Sequence, residues 1–379
     1  MKRTIITLLV SVLGLVILST WSLYSALMLS QKGDAMMRNQ LVAVLIGFVG
    51  FGFMAWWDYR RFNHWLWALA IYLTTLTLLI AVLIPGVGTY RNGAQRWLYS
   101  FQPSEIAKAA VVFSLAWFCA RYQHRLGSFK WGILAIAAII LPLLALIFSE
   151  PDRGTTLFLI GLTGIMLLVA GVRWNQLLLA GSAAAAVLLP VLLRDPLVQK
   201  RLAAFNAPEA HRSDAAYQNH QALLAFGEGG LFGKGPGAGV MMRTIPEHHT
   251  DFILPVIGEE LGFLGTSMVI FAFASILFCG ASIARNAGDS GDTFGFLLAA
   301  GITFLIVAQA FFNIGIVTKI FPNKGLPLPF VSRGGTNIVV MLTLIGALIS
   351  VARHTKAAVL PLKSTRREHN DNPFAEFQS

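Results

Sequence analysis

The feature that most constrains this chain is the recurrence of apolar runs long enough to cross a bilayer. A transmembrane helix needs about 17–25 predominantly apolar residues. Such runs occur about ten times, over 5–28, 41–57, 64–85, 105–120, 131–148, 155–172, 175–193, 252–284, 293–317 and 335–352. Only 12% of the 379 residues are charged and 56% are hydrophobic, whereas a soluble domain carries about a quarter charged residues. That balance predicts an all-α polytopic membrane protein of about ten transmembrane helices. A single membrane domain spans 1–357, and a polar tail over 358–379 reads as disordered and cytoplasmic.

Basic residues set the expected orientation. Lys2 and Arg3, Arg60 and Arg61, Arg121, Arg125 and Lys130, Arg173, Arg285 and the tail with Lys363, Arg366 and Arg367 alternate with short, less basic connections. The positive-inside rule then places both termini in the cytoplasm. The formal net charge of +11 is read as topology and contact with anionic lipid, not as nucleic-acid binding. The N-terminal "MKRTIITLLVSVLGLVILSTW" has a long apolar part without a clear cleavage site, so it reads as an uncleaved first span. Cys119 and Cys279 fall in apolar runs and suggest neither a disulfide nor a metal pair.

The one long extramembrane segment, 194–251, lies between helices 7 and 8 on the predicted outer face. It carries Arg194, Lys200, Arg201, Arg212, Lys234 and Arg243. Three other connections share that face: "GVGTYRNGAQRWLYSFQPS", "SEPDRGTT" and "TKIFPNKGLPLPFVSRGGT". Together they present Arg91, Arg96, Lys108, Arg153, Arg243, Lys319, Lys324 and Arg333 beside Glu105, Glu150, Asp152, Glu247 and Asp251. Mixed charge at one mouth of a helical bundle suits a polar, anionic ligand such as a pyrophosphate or carboxylate. A carboxylate among the cations can serve as general base.

Glu105 and Lys108, three residues apart, share a helix face and read either as an ion pair or as a cavity wall. Glu259 and Glu260 fall about two turns into a span. An unpaired carboxylate there costs a few kcal/mol, so at least one should face a cavity or a cation. Adjacent His248 and His249 lack the spacing of a zinc site. The glycines around Lys234 lack phosphate-loop spacing and read as a flexible loop. No serine or cysteine nucleophile is signalled. These residues alone leave open whether the chain is a transporter or an enzyme.

The segments "NGAQRWL", "QPSEIAK", "EPDRGTT", "PEHHTDFILPVIGEELGFLG", "NIG" and "KGLPLPFVSRGGT" resemble, in order and spacing, the motifs of the SEDS family, the RodA/FtsW-type polymerases of bacterial peptidoglycan. The resemblance covers about residues 40–352. It implies a glycosyltransferase that polymerises lipid II at the outer face of the cytoplasmic (inner) membrane and releases undecaprenyl pyrophosphate. It makes Asp251 the essential carboxylate and general base. Arg96, Trp97, Glu105, Lys108, Lys324 and His249 become substrate-binding residues. Asp152, Arg153, Lys234, Arg243, Glu259 and Arg333 become supporting ones. A divalent cation, magnesium or manganese, is expected without a legible ligand set, and no nucleotide or organic cofactor is expected. The implied partners are a class B penicillin-binding protein, other divisome or elongasome membrane proteins, and membrane lipids.

Two departures from the family pattern add positive charge: Arg153 stands where Leu or Phe is usual, and Arg333 where Tyr is usual. Arg153 and Arg333 are expected to alter substrate contacts or to pair with Asp152 and another acid. "GKGPGAG", "IGEELG" and "KGLPLPF" favour the division branch, FtsW, over elongation, RodA. A lipid II flippase is the rival reading, and the absence of a matching acidic cavity among the short inner loops argues against it.

Overall fold

The computed structural model describes residues 1–27, 33–91, 94–99, 101–206, 215–239, 250–323 and 325–355. Twelve α-helices account for most of them: α1 (Lys2–Leu27), α2 (Gly33–Trp56), α3 (Trp65–Leu83), α4 (Pro103–Arg121), α5 (Ala135–Ser149), α6 (Arg153–Val169), α7 (Trp174–Arg194), α8 (Pro196–Asn206), α9 (Ala215–Gly229), α10 (Ile253–Asp289), α11 (Thr293–Val317) and α12 (Gly335–His354). Among the described residues, nine helices are long and apolar enough to cross a membrane, α5 counting with the turn Lys130–Leu134 that precedes it. The tenth expected span is α6, a shorter apolar helix of 17 residues, at the lower limit for spanning. The chain is a multi-pass membrane protein.

The centre of the bundle is built by α4, α11 and α12, the most deeply buried spans. Helix α12 lies along α2, and α10 lies between α1 and α11. The α2–α12 contact depends on missing side chains. A Cβ at Gly346 would sit 2.4 Å from the Phe51 carbonyl oxygen, and one at Gly50 would sit 2.4 Å from Thr343 Oγ1. Small residues let membrane helices approach closely where no hydrophobic driving force exists between them. Helix α7 differs from the others: it has no buried residue and projects an apolar surface that only lipid or another protein can cover.

Two expectations are modified. The long segment 194–251 is not a simple loop, because it contains α8 and α9; both are too polar or too short to stand out in a hydropathy reading. The connection between α3 and α4 folds into a two-stranded antiparallel hairpin, β1 (Thr89–Arg91) and β2 (Ala94–Trp97). Gln95 anchors it by donating to the Val82 carbonyl at 2.8 Å.

The face opposite the hairpin is locked by Tyr59, which is buried in the 3-10 turn Tyr59–Asn63. Its hydroxyl donates to Asp292, the N-cap of α11. Its backbone N–H donates to Ser350 Oγ of α12 at 3.1 Å. Burial, then the bond to Asp292, pushes the Tyr59 phenol up to about 12.

Candidate functional site

Asp251 lies two residues before the first turn of α10, half-buried, with Phe252 beneath it fully enclosed. Its backbone carbonyl accepts a hydrogen bond from Asn313 Nδ2 of α11 at 2.9 Å. Its carboxylate faces Gly325, where a Cβ would come within 3.0 Å of Oδ2. Gly325 has φ +59°, a conformation open to glycine at little steric cost. Both the turn and the close approach of the chain to Asp251 therefore require this residue.

Gly325 belongs to the α11–α12 connection, which does not stay on the surface. Leu326, Leu328, Phe330, Val331 and Ser332 are all buried. Irregular backbone at membrane depth is tolerated only where protein satisfies it, and here it is satisfied. Asn313 Nδ2 donates to the Leu326 carbonyl at 2.6 Å, Gln309 Nε2 to the Pro327 carbonyl at 2.8 Å, and Ser19 of α1 to the Val331 carbonyl at 2.7 Å. Asn323 reaches Gln218 of α9 at 2.9 Å.

Arg96, at the end of the hairpin, is threaded into the α5–α6 turn. Its guanidinium donates to the carbonyls of Glu150 at 3.1 Å and Pro151 at 2.6 Å and lies 3.8 Å from Asp152. Asp152 is committed to capping α6, accepting from the Thr155 N–H at 3.1 Å and the Thr155 hydroxyl at 2.9 Å. Trp97, the next residue, is half-buried. Glu150 is buried with no hydrogen-bond partner for either carboxyl oxygen among the described residues. Burial, then the charge of Asp152, raises it to about 8 against the opposing pull of Arg96.

Arg201, on α8, stands within the field of Arg96, Asp152, Asp195 and Asp251. Burial and Arg96 lower its guanidinium from the ordinary value, and the three carboxylates oppose that shift. The segment 194–251 thus returns a cation to the mouth of α10, and nothing in the local sequence distinguishes this arginine from its neighbours.

Glu105 and Lys108 form the ion pair, not an exposed cavity wall. Nζ lies 2.7 Å from Glu105 Oε1 and 2.9 Å from Gln309 Oε1, while Glu105 Oε2 accepts from Asn337 Nδ2 at 2.7 Å. Both side chains are enclosed by the bundle. Four side chains from α4, α11 and α12 therefore satisfy one another, the condition on which a buried pair is tolerable.

Glu259 and Glu260 are also buried, and their partners are now visible. Glu260 Oε1 accepts from Ser25 of α1 and from the Gly237 N–H at 3.0 Å. Lys234 Nζ lies 2.5 Å from Glu228 and 3.9 Å from Glu259. The glycine-rich segment is not the flexible loop expected from its composition. The Lys234 and Gly235 N–H groups donate to the carbonyls of Glu259 and Glu260 at 2.9 and 3.0 Å, and the Phe263 and Leu264 N–H groups donate to those of Gly230 and Leu231 at 2.8 and 3.2 Å. This docking is possible because α10 breaks at Gly262, with φ 65° and ψ −158°. The break frees backbone groups that the loop then satisfies. A Cβ at Gly262 would lie 2.4 Å from the Gly233 nitrogen.

Arg153 pairs with Asp195 rather than with Asp152. Its Nε meets Asp195 Oδ2 at 2.9 Å, it donates to the Phe148 carbonyl, and its guanidinium covers the Phe148 ring at 3.8 Å. Asp152 is unavailable because it caps α6. The bond from Arg153 holds the Asp195 carboxyl below its usual range. Arg333 is half-buried in the turn before α12. Arg243, His249 and Lys324 lie outside the described residues. Among the described residues, no three His, Cys, Asp or Glu side chains come together to hold a metal ion.

The fold and this cluster define a polytopic helical membrane protein with a charged, heavily hydrogen-bonded site at one mouth of the bundle. The chain belongs to the FtsW/RodA/SpoVE family of cell cycle proteins, whose model matches residues 2–357. It is 37% identical over 339 residues to a probable peptidoglycan glycosyltransferase FtsW of Trichlorobacter lovleyi, covering 88% of each chain. It is 33% identical over 357 residues to the stage V sporulation protein E of Bacillus subtilis, covering 93% of this chain and 96% of that one. Among solved structures, the Thermus thermophilus rod shape determining protein RodA shares the fold with a TM-score of 0.65 at 25% identity, over 92% and 96% of the two chains. A chain from a study of polymerization and crosslinking by a peptidoglycan synthase complex superposes with a TM-score of 0.73 at 24% identity, over 91% and 96%. Several of the relatives are named FtsW, and the enzyme class those names indicate is a glycosyltransferase.

Proposed function

We propose that this protein polymerises peptidoglycan glycan strands from lipid II at the extracytoplasmic face of the bacterial cytoplasmic membrane during cell division. The observation that carries the reading is Asp251: a half-buried carboxylate at the mouth of α10, pressed against a glycine turn and within the field of Arg201. In this reading Asp251 takes the proton from the C4 hydroxyl of the acceptor sugar as that oxygen attacks the anomeric carbon of the donor. The bond from that carbon to undecaprenyl pyrophosphate breaks, and the leaving group departs with the electron pair.

Fixed cations aimed at the departing pyrophosphate stabilise it more than water does. Arg96 and Arg201 are the described candidates, with Lys324 as the third. Glu105 and Lys108 lie too deep to bind the headgroup in this conformation and act from within the bundle. The polyprenyl tail stays in lipid beside α7, whose apolar surface the protein leaves uncovered. The relatives named as probable peptidoglycan glycosyltransferases support the enzyme over a flippase, and a class B penicillin-binding protein is the proposed partner.

Purified protein incubated with lipid II in detergent, alone and with its cognate transpeptidase, tests the reading. Glycan polymer and undecaprenyl pyrophosphate are the expected products. Transbilayer movement of lipid II in proteoliposomes without polymer would establish the flippase instead.

A further inference from the structure

We infer that Gln309 and Asn313 are positioning residues that set the distance between Asp251 and the re-entrant α11–α12 turn. The inference rests on the polymerase reading and adds the device that holds its base in place. Both amides are fully enclosed, at 0% and 1% exposure. They are four residues apart on α11 and so share one face of the helix.

Each amide joins the turn to one half of the site. Asn313 commits both Nδ2 hydrogens, one to the Asp251 carbonyl at 2.9 Å and one to the Leu326 carbonyl at 2.6 Å. Gln309 donates from Nε2 to the next carbonyl, Pro327, at 2.8 Å and accepts from Lys108 at 2.9 Å. Lys108 in turn holds Glu105, which holds Asn337 of α12. Hydrogen bonds therefore run from α12 through α4 and α11 to the turn at Pro327, and the adjoining Leu326 carbonyl is joined through Asn313 to the backbone of Asp251.

The turn needs this support. "GLPLP" supplies two prolines, which have no N–H to donate, so the segment cannot build a backbone ladder of its own. Of its carbonyls, those of Leu326 and Pro327 are met by side chains, whereas that of Leu328 takes the Val331 and Ser332 N–H groups. The gap being held is narrow: Gly325 sits so close to the Asp251 carboxylate that a single methyl group would touch it. A catalytic base displaced by about 1 Å loses on the order of 100-fold in rate.

The test is steady-state polymerisation of lipid II by purified full-length protein with its transpeptidase. Wild type is compared with Asn313→Ala, Gln309→Met and the double variant, each normalised to the monodisperse, folded fraction. We expect kcat to fall about 10- to 100-fold in each single variant, with KM for lipid II unchanged within about threefold. The double variant should lose less than the product of the two losses, because both amides act on one turn. A merely structural role lowers the folded fraction and leaves kcat per folded molecule intact, and that result in either variant overturns the inference. If Asn313→Ala does not fold, Gln309→Met decides alone. Failure of the polymerase reading is separately visible, as no glycan polymer from the wild-type protein with its transpeptidase.

Discussion

Lys108→Met offers a sharp test of how the centre of the bundle is held together. The substitution keeps most of the side-chain length and removes the charge. It strands Glu105, which is 3% exposed and keeps the side-chain bond from Asn337 at 2.7 Å. It also removes the donor to Gln309. Breaking a buried pair from one side costs about 3–5 kcal/mol, because an uncompensated charge remains, whereas replacing both partners by apolar groups is often neutral or stabilising. At ~2 °C per kcal/mol for a large domain, the single variant should melt roughly 6–10 °C below wild type. Glu105→Leu combined with Lys108→Met should recover most of that loss. The assay is thermal unfolding in detergent followed by size-exclusion fluorescence, with all three proteins at one pH. A single variant within about 2 °C of wild type would refute the claim that these charges depend on each other.

Three further outcomes follow from the geometry. The Glu150 carboxyl is raised from 4.5 to about 8 by burial, then by Asp152, so the folded state keeps a proton that the unfolded chain releases. Stability should therefore fall as pH rises between those values, and Glu150→Gln should flatten that slope in melts taken from pH 5 to 9. Gly262→Ala forces a left-handed position on a residue whose Cβ would meet Gly233 and Leu231 backbone. It should cost on the order of 1–3 kcal/mol and raise hydrogen exchange at the amides of Lys234 and Gly235. Arg153→Leu restores the residue type usual in the family and breaks a partly exposed pair with Asp195. It should change stability by no more than about 1 kcal/mol, with faster exchange confined to the α7–α8 corner.

The spans were legible because a bilayer demands long apolar runs, and the break in α10 was foreshadowed by a run too long to cross once. The location of the charged cluster also followed from the sequence, since alternate connections share one face. The partners of the charges did not follow. Ser25 and Glu260 are 235 residues apart, and no local pattern joins them. The pairing of Arg153 was misjudged because Asp152, its sequence neighbour, is spent on an N-cap. The glycines around Lys234 suggest mobility when read alone; their backbone N–H groups are instead the donors that a broken helix needs. Asn313 stands in the quoted "NIG", but its link to Gln309 is a separate signal: two amides four residues apart inside a 25-residue apolar helix. A polar side chain there must find a partner within the bundle.

The central claim, that Asp251 carries the chemistry, is tested most directly by one substitution. Asp251→Asn keeps the size and the backbone hydrogen bond from Asn313 and removes the base. General-base catalysis is worth about 10²–10⁴-fold. Polymerisation of lipid II by the folded, partner-bound variant should therefore fall by at least about 100-fold, with lipid II still bound. Polymer formed at the wild-type rate would contradict the account.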